Sequence, residues 1–152
     1  MSYTFHIIHP GKDERTREML QQMIELSKNH GAEVLGGDFD PDIEAILKVW
    51  QAGVYRFFAV TEGDKVVGYA VWTFGKSSFS RRETDALLTA AFVLKEHRGR
   101  DAFNLLFDES LRAMKYAGAT RIGAQVDTGH KMASFFTAKG WTQSVLVFQE
   151  PR

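Results

Sequence analysis

Two β-rich runs follow one another in the middle of the sequence, Tyr55–Thr61 and Lys65–Phe74, with the polar turn EGDK between them. Both runs are rich in aromatic and β-branched residues, which favour strands. A short turn that contains glycine and aspartate between two such runs is typical of a β-hairpin. The sequence therefore predicts an antiparallel pair of strands at the centre of the fold.

Strand and helix patterns precede this hairpin. Tyr3–His9 predicts a first strand that stops at a Pro-Gly pair. Apolar residues at helical spacing predict a helix over Asp13–His30, with Gly31 as its stop signal. The segment DPDIEAILKVWQAG predicts a shorter helix, in which Asp40 caps the start and Gly53 marks the end.

After the hairpin, Glu83–Leu94 carries apolar residues on both faces, which predicts a strand near the centre of the sheet. A helix is the alternative for this run, because Ala and Leu favour helices. A helix that ends at Gly118 is predicted next, and its apolar face consists of Phe103, Leu106, Phe107, Ser110, Leu111, Met114 and Ala117. The segments TRIGAQV, HKMASFFTAKG and WTQSVLVFQ then predict a strand, a helix and a last strand.

Composition limits the classes of protein that fit. At 152 residues and 44% hydrophobic content, we expect one domain over residues 1–152. The 19 basic and 19 acidic residues cancel, so no overall charge attracts the chain to nucleic acid or to an anionic membrane. Without cysteine, disulfides and cysteine-based zinc sites are excluded, and the five histidines form no His-x-x-x-His pair of the kind that binds zinc on a helix. With no targeting or membrane-spanning pattern, we expect a cytoplasmic protein.

The stretch KEHRGRDAFNLL places Arg98, Gly99 and Arg100 directly before a helix. A helix N-terminus carries unpaired N–H donors and about half a positive charge, so it binds phosphate where small residues let the backbone come close. Arginine side chains add charge-assisted hydrogen bonds to phosphate oxygens. The alternative is a solvated turn in which Gly99 only permits the backbone conformation.

The order β-α-α-β-β-β-α-β-α-β, with a hairpin in the middle and this loop before the longest late helix, resembles the GCN5-related N-acetyltransferase (GNAT) family over nearly the whole chain. Val93 stands five residues before Arg98, as in the family's strand and pyrophosphate loop, Arg/Gln-x-x-Gly-x-Gly/Ala. The segment MASFFTAKGW resembles the family's later A-x-x-F-Y-x-x-x-G-F segment. The resemblance implies an α/β (α+β) fold with a central, mixed but mostly antiparallel sheet flanked by helices.

The resemblance also implies acetyl-CoA as the acyl donor and a set of residues that bind it. These are Phe92, Val93 and Leu94, through their backbone, and the loop residues Arg98, Gly99, Arg100, Asp101, Ala102 and Phe103. Asp101 and Phe103 occupy the two positions where the family has small residues. Asp101 suits a helix cap but would repel a phosphate, and Phe103 either blocks the loop or turns into the core. Three outcomes remain open: a modified coenzyme A site, a different acyl donor, or loss of the cofactor.

Acyl transfer to an amine needs a base, and alternation along the strand places Glu83, Asp85, Leu87, Thr89, Ala91 and Val93 on one face unless a bulge intervenes. Glu83 and Asp85 are therefore candidate bases, or else exposed charges at the start of a strand. Asp127 is a third candidate, or a helix cap. The tyrosine that the family uses as an acid is Phe136 here, which leaves Tyr69 and Tyr116 as the alternatives.

These observations predict an acetyltransferase that transfers an acetyl group from acetyl-CoA to an amine of a small molecule or a protein. A module that kept the fold without catalysis, and binds an acyl-CoA or a protein partner, is the alternative. A structural or partner-binding protein that forms a homodimer through the last strand is a third hypothesis. Arg81 and Arg82 either attract an acidic acceptor or are ordinary surface charges.

Overall fold

The protein was analysed as a computed structural model that describes residues 2–11, 13–35, 40–125, 131–143 and 151. Within these residues the elements are β1 (Tyr3–Ile8), α1 (Glu14–Leu35), α2 (Ile43–Gln51), β2 (Tyr55–Glu62), β3 (Lys65–Lys76), β4 (Thr84–Val93), α3 (Ala102–Tyr116), β5 (Arg121–Ala124) and α4 (Lys131–Ala138). This order confirms the predicted mixed α+β architecture. The predicted last strand lies mostly outside the described residues. No helix in the described part of the chain combines the length and apolar character needed to cross a bilayer.

The strands form one sheet in the order β1-β2-β3-β4-β5. Strands β1 to β4 are antiparallel to their neighbours, and β5 is parallel to β4. The central hairpin is confirmed as β2 and β3, and Glu83–Leu94 is a strand rather than a helix. In the described part of the chain the sheet is therefore mostly antiparallel, and β4 and β5 form its one parallel pair.

Each face of the sheet packs against its own helices. Helices α3 and α4 cover one face through a core that includes Trp72, Phe58, Leu106, Phe107, Met114 and Phe136. Helices α1 and α2 cover the other face through Met19, Met23, Leu26, Trp50, Phe57, Tyr69 and Phe92. The buried indole N–H of Trp72 donates to Ser110 Oγ at 3.0 Å, so it keeps a hydrogen bond inside the first core.

Two helix boundaries differ from the sequence prediction. Helix α1 continues through Gly31 to Leu35, because the His30 side chain packs on Phe92 and bonds to Tyr69 on the sheet. Such tertiary contacts outweigh the weak preference of glycine to end a helix. Asp42 rather than Asp40 caps α2, and its carboxylate accepts from the Ala45 N–H at 3.0 Å.

Candidate functional site

A β-bulge divides β4 into two segments. Leu88 lies opposite Trp72 and Ala90 lies opposite Val71, so Thr89 is an extra residue without its own partner on β3. The Thr89 hydroxyl donates to the Val71 carbonyl at 3.1 Å, which fixes the bulge in place. An extra residue reverses the alternation of faces along a strand.

The bulge corrects the predicted face of β4. Before it, Ala86 and Leu88 point into the core beneath α3, whereas after it Ala91 and Val93 do. The prediction that Glu83, Asp85, Leu87, Thr89, Ala91 and Val93 share one face is therefore wrong. Asp85 instead shares the α1–α2 face with Phe92.

The bulge also coincides with the last pairing between β4 and β5 that lies within the described residues. The register between these strands stops at Leu88 and Ala124, and the Gln125 N–H still donates to the Leu88 carbonyl at 2.9 Å. Beyond Leu88, no strand in the described part of the chain pairs with β4 on the side away from β3.

Because backbone groups alternate in direction along a strand, those of Ala91 and Val93 point towards this open side of β4. Those of Phe92 and Leu94 point towards β3, where the Leu94 N–H donates to the Val67 carbonyl. Of the three residues predicted to pair with the donor through their backbone, Val93 therefore faces the open side, and Phe92 and Leu94 do not. Within the described residues, the backbone groups of Ala91 and Val93 form a short edge without a strand partner, the unpaired edge, next to the start of the loop.

The loop after β4 turns the chain into α3. A single 3₁₀ turn spans Lys95–His97, and Gly99 follows with a φ of 76°, a left-handed conformation that favours glycine. Nothing lies within 4 Å of the place where a Cβ on Gly99 would be, so the backbone there is open to approach. In α3 the Leu105 N–H bonds to the Asp101 carbonyl, so the N–H groups before Leu105 point out of the helix end.

Asp101 occupies the N-cap position of α3, but its carboxylate accepts no capping hydrogen bond. The prediction that this side chain caps the helix is therefore wrong. Phe103 turns inward, where it stacks on Phe107 and meets the edge of Phe135 with ring centroids 5.0 Å apart. Ala102 is fully buried. The bulk of Phe103 consequently leaves the loop side of the helix end open.

The Arg98 side chain lies back over the end of β4. Its Nε donates to the Val93 carbonyl at 2.8 Å, and its Nη2 donates to Glu33 Oε2 on α1, also at 2.8 Å. The guanidinium carbon sits 5.2 Å from the centre of the Phe92 ring. Arg98 thus lies beside the unpaired edge, and its charge is paired within the protein.

Comparison with solved structures identifies the architecture. An aminoglycoside acetyltransferase from an uncultured soil metagenomic sample superposes with a TM-score of 0.77 at 17% identity, over 100% of this chain and 99% of that one. The aminoglycoside N-acetyltransferase AAC(6')-Iy in complex with CoA gives 0.74 at 14% identity, over 99% and 95%. The ribosomal-protein-alanine N-acetyltransferase from Brucella melitensis biovar Abortus 2308 gives 0.74 at 10% identity, over 100% and 99%. The chain has the GNAT fold. No protein-family model and no curated protein matches the sequence.

Within this GNAT fold, the candidate carboxylates lie at the far end of β4. Glu83 Oε2 accepts from the Thr120 hydroxyl at 2.7 Å. Asp85 Oδ1 lies 3.5 Å from Arg121 Nε, and this oxygen is buried without a hydrogen-bond partner in the described structure. Four residues of strand place Asp85 about 13 Å from Thr89, and Glu83 lies further away. Asp127 lies outside the described residues.

The residues considered as the general acid differ in burial and in distance from the loop. Phe136 is a core residue that packs against Phe107 and Trp141. Tyr116 is 95% exposed at the last residue of α3, about 20 Å from the first turn of that helix. Tyr69 lies directly opposite Phe92, and its hydroxyl is 2.6 Å from His30 Nδ1. Burial raises the pKa of Tyr69 well above its usual value, so its phenol stays protonated.

Sequence reasoning missed the two α1 residues at this site, His30 and Glu33. His30 stacks on the Phe92 ring with centroids 5.0 Å apart, and Glu33 pairs with Arg98. Helical periodicity marks neither residue, because both are polar and the groups that they contact lie far away in the sequence. The loop residue His97 is held in turn by β1, since its Nδ1 lies 3.0 Å from the Tyr3 hydroxyl.

Proposed function

We propose that this protein is an N-acetyltransferase that transfers the acetyl group of acetyl-CoA to an amine of a small molecule or a protein. The observation that carries the proposal is the unpaired edge of β4, which runs from the Thr89 bulge to the loop before α3. A sheet edge of this kind offers hydrogen-bonding groups to an extended ligand, and a helix start offers N–H groups to phosphate. The GNAT fold of the chain supports the same reading.

The residues of the edge and the loop fit such a donor. The backbone groups of Ala91 and Val93 pair with the amides of an extended pantetheine arm, and those of Gly99 and the first turn of α3 receive the pyrophosphate. Gly99 leaves space for close approach, and Phe103 points away into the core. Arg98 and Arg100 supply positive charge, whereas the exposed Asp101 carboxylate weakens the binding of an anion.

Acetyl-CoA supplies an activated thioester, so the chain needs only to position the amine, remove its proton and polarise the carbonyl. Among the candidate bases near the start of β4, Asp85 is the better one, because it lies nearer the bulge than Glu83, whose carboxylate already accepts from the Thr120 hydroxyl. As the base, Asp85 would have to act beside Arg121, whose Nε lies 3.5 Å from its Oδ1. Its distance from the edge requires water molecules to relay the proton. The amine attacks directly in a ternary complex. A thiol with a pKa of about 8.5 departs without a strong acid, so Phe136 does not prevent the reaction.

A thiol-release assay with acetyl-CoA and a panel of amines tests this function. The panel contains aminoglycosides, polyamines, amino acids and peptides with a free N-terminus. We expect release of free coenzyme A with at least one amine, and a lower rate after Asp85→Asn at an unchanged dissociation constant for acetyl-CoA. Absence of acetyl-CoA binding by calorimetry would contradict the proposal.

A donor-binding module without turnover is the second candidate. Its support is the pair of departures from the family pattern, Phe136 in the core and the anionic Asp101 at the helix start. A transcriptional regulator from Bacillus halodurans C-125 also superposes on this chain, with a TM-score of 0.74 at 14% identity. A fold does not dictate a function. This candidate predicts that acetyl-CoA binds to the protein but that no amine in the panel causes release of free coenzyme A.

A further inference from the structure

The Arg98 side chain occupies two parts of the proposed donor site at once. Its Nε donates a hydrogen bond to the Val93 carbonyl, which belongs to the unpaired edge. Its Nη2 pairs with the Glu33 carboxylate, so the positive charge predicted to meet phosphate is already neutralised within the protein. In this arrangement, two groups that would bind the donor, the Val93 carbonyl and the Arg98 guanidinium, are already engaged in contacts within the protein.

Glu33 is presented to Arg98 from a fixed position. One turn earlier on α1, His30 stacks on Phe92 and lies within hydrogen-bond distance of the Tyr69 hydroxyl. These contacts join α1 to strands β3 and β4 beside the loop. The Arg98 guanidinium lies over the same Phe92 ring. Glu33 and Arg98 are therefore held together by the surrounding packing as well as by their charges.

We propose that Glu33 is a positioning residue that sets the affinity for the acyl donor by competing with it for Arg98. The proposal rests on the proposed function, because it concerns the acetyl-CoA site. A phosphate that binds Arg98 must displace or share the Glu33 carboxylate, and two anions on one guanidinium repel each other. When Arg98 swings towards the helix start, a single rearrangement releases both the cation for phosphate and the Val93 carbonyl for the pantetheine arm.

The expected size of this competition is modest. The Arg98 and Glu33 side chains are 43% and 46% exposed, so water screens much of their attraction. An ion pair of that kind changes a binding constant by about two- to fivefold. Removal of the Glu33 charge should therefore tighten acetyl-CoA binding by that factor.

Calorimetric titration of acetyl-CoA into the wild type, Glu33→Gln and Glu25→Gln measures this effect. Glu25 is a matched control, because it lies on the same helix and pairs with Lys28, about 12 Å further from the loop along the helix axis. Both substitutions remove one negative charge and keep a similar shape. We expect tighter binding for Glu33→Gln and an affinity within about 1.5-fold of wild type for Glu25→Gln.

A double variant separates competition for Arg98 from a general charge effect. In an Arg98→Ala background, Glu33→Gln should no longer tighten binding, because the shared cation is gone. In an Arg98→Lys background, which keeps the positive charge, Glu33→Gln should still tighten acetyl-CoA binding, but by less than in the wild type. Three results would each overturn this proposal and leave the proposed function standing. They are equal tightening of acetyl-CoA binding by Glu25→Gln, unchanged or weaker binding by Glu33→Gln, and tightening by Glu33→Gln that persists in the Arg98→Ala background. Absence of acetyl-CoA binding in every variant would overturn both.

Discussion

The two ends of β4 differ in how their backbone is paired with neighbouring strands. From Asp85 to Leu88, the backbone is paired on both sides, and the carboxylates of Glu83 and Asp85 lie against partners at the start of β5. From Thr89 to Val93, the described structure pairs the strand with β3 alone. The first end is a closed part of the sheet, and the second end has the open side at which we propose that the acyl donor binds.

This difference teaches that the proposed donor site depends on the backbone rather than on a set of reactive side chains. The bulge at Thr89 separates the two ends and reverses the face on which side chains lie. Of the side chains that first suggest chemistry, Glu83 accepts a hydrogen bond and Arg98 is paired within the protein. Changes that move the backbone at the open end should therefore have larger effects than changes at the closed end.

Gly68→Ala should produce the largest difference between the two ends. A Cβ on Gly68 would lie 2.9 Å from the Phe92 carbonyl oxygen and 2.9 Å from Val93 Cγ2, so the open end must shift. We expect a loss of about 1–3 kcal/mol in the free energy of unfolding and a loss of acetyl-CoA binding. Urea denaturation and calorimetry measure the two effects.

Gly75→Ala is the matched control for this change, because Gly75 lies on the same strand opposite Asp85 and has open space where its Cβ would be. Its stability and donor affinity should stay close to wild type. If both substitutions had equal effects, the contrast between the two ends would be lost.

Arg98→Ala should have the next largest effect on donor affinity. The loss of a charge-assisted contact to phosphate weakens binding by about 10- to 100-fold. Arg121→Ala removes a cation at the closed end, where Arg121 faces Asp85, and should change the affinity less than threefold. Calorimetry in parallel compares them, and a larger loss for Arg121→Ala would place the anion site at the wrong end of the strand.

Asp101→Asn should strengthen donor binding by about two- to fivefold at low salt, because it removes an anion that makes no capping bond at the start of α3. The gain should shrink as salt screens the charge. Asp108→Asn provides the control, since Asp108 lies on the same helix but pairs with Lys139. Weaker binding of Asp101→Asn would instead give the aspartate a role in holding the donor.

The smallest effect on donor affinity is expected at the closed end itself. Glu83→Gln and Asp85→Asn should leave the dissociation constant of acetyl-CoA within about twofold of wild type, because both carboxylates are roughly 13 Å or more along the strand from the bulge. Fluorescence titration or calorimetry is sufficient to measure this. A tenfold change in either variant would show that the donor reaches further along β4 than we propose.

Local sequence patterns were enough to predict much of the fold. The hairpin, the apolar face of α3 and the helix end near Gly118 follow from residues that lie close together along the chain, and the structure confirms them. The exception on that face is Ala117, which is exposed as the C-cap of the helix. The Thr89 bulge leaves no such pattern, because a run that is apolar on both faces looks the same with or without an extra residue. The alternation of faces past Leu88 was therefore predicted wrongly.

The site was less predictable than the fold. Arg98 and Gly99 could be placed in the loop from the sequence, but the Glu33 partner of Arg98 is 65 residues away. Only the packing of α1 on the sheet brings them together. Helix α1 passes through Gly31 for the same reason, since the contacts of His30 with Tyr69 and Phe92 are invisible to a helix-stop rule.

Amide hydrogen exchange with and without acetyl-CoA tests the central claim most directly, since it compares the two ends of β4 in one experiment. We predict that the donor slows exchange at Ala91, Val93 and the start of α3, while amides from Ala86 to Leu88 keep the rates that they have without it. Binding that left Ala91 and Val93 unchanged, or that protected only the closed end, would contradict an acyl-donor site at the open edge of β4.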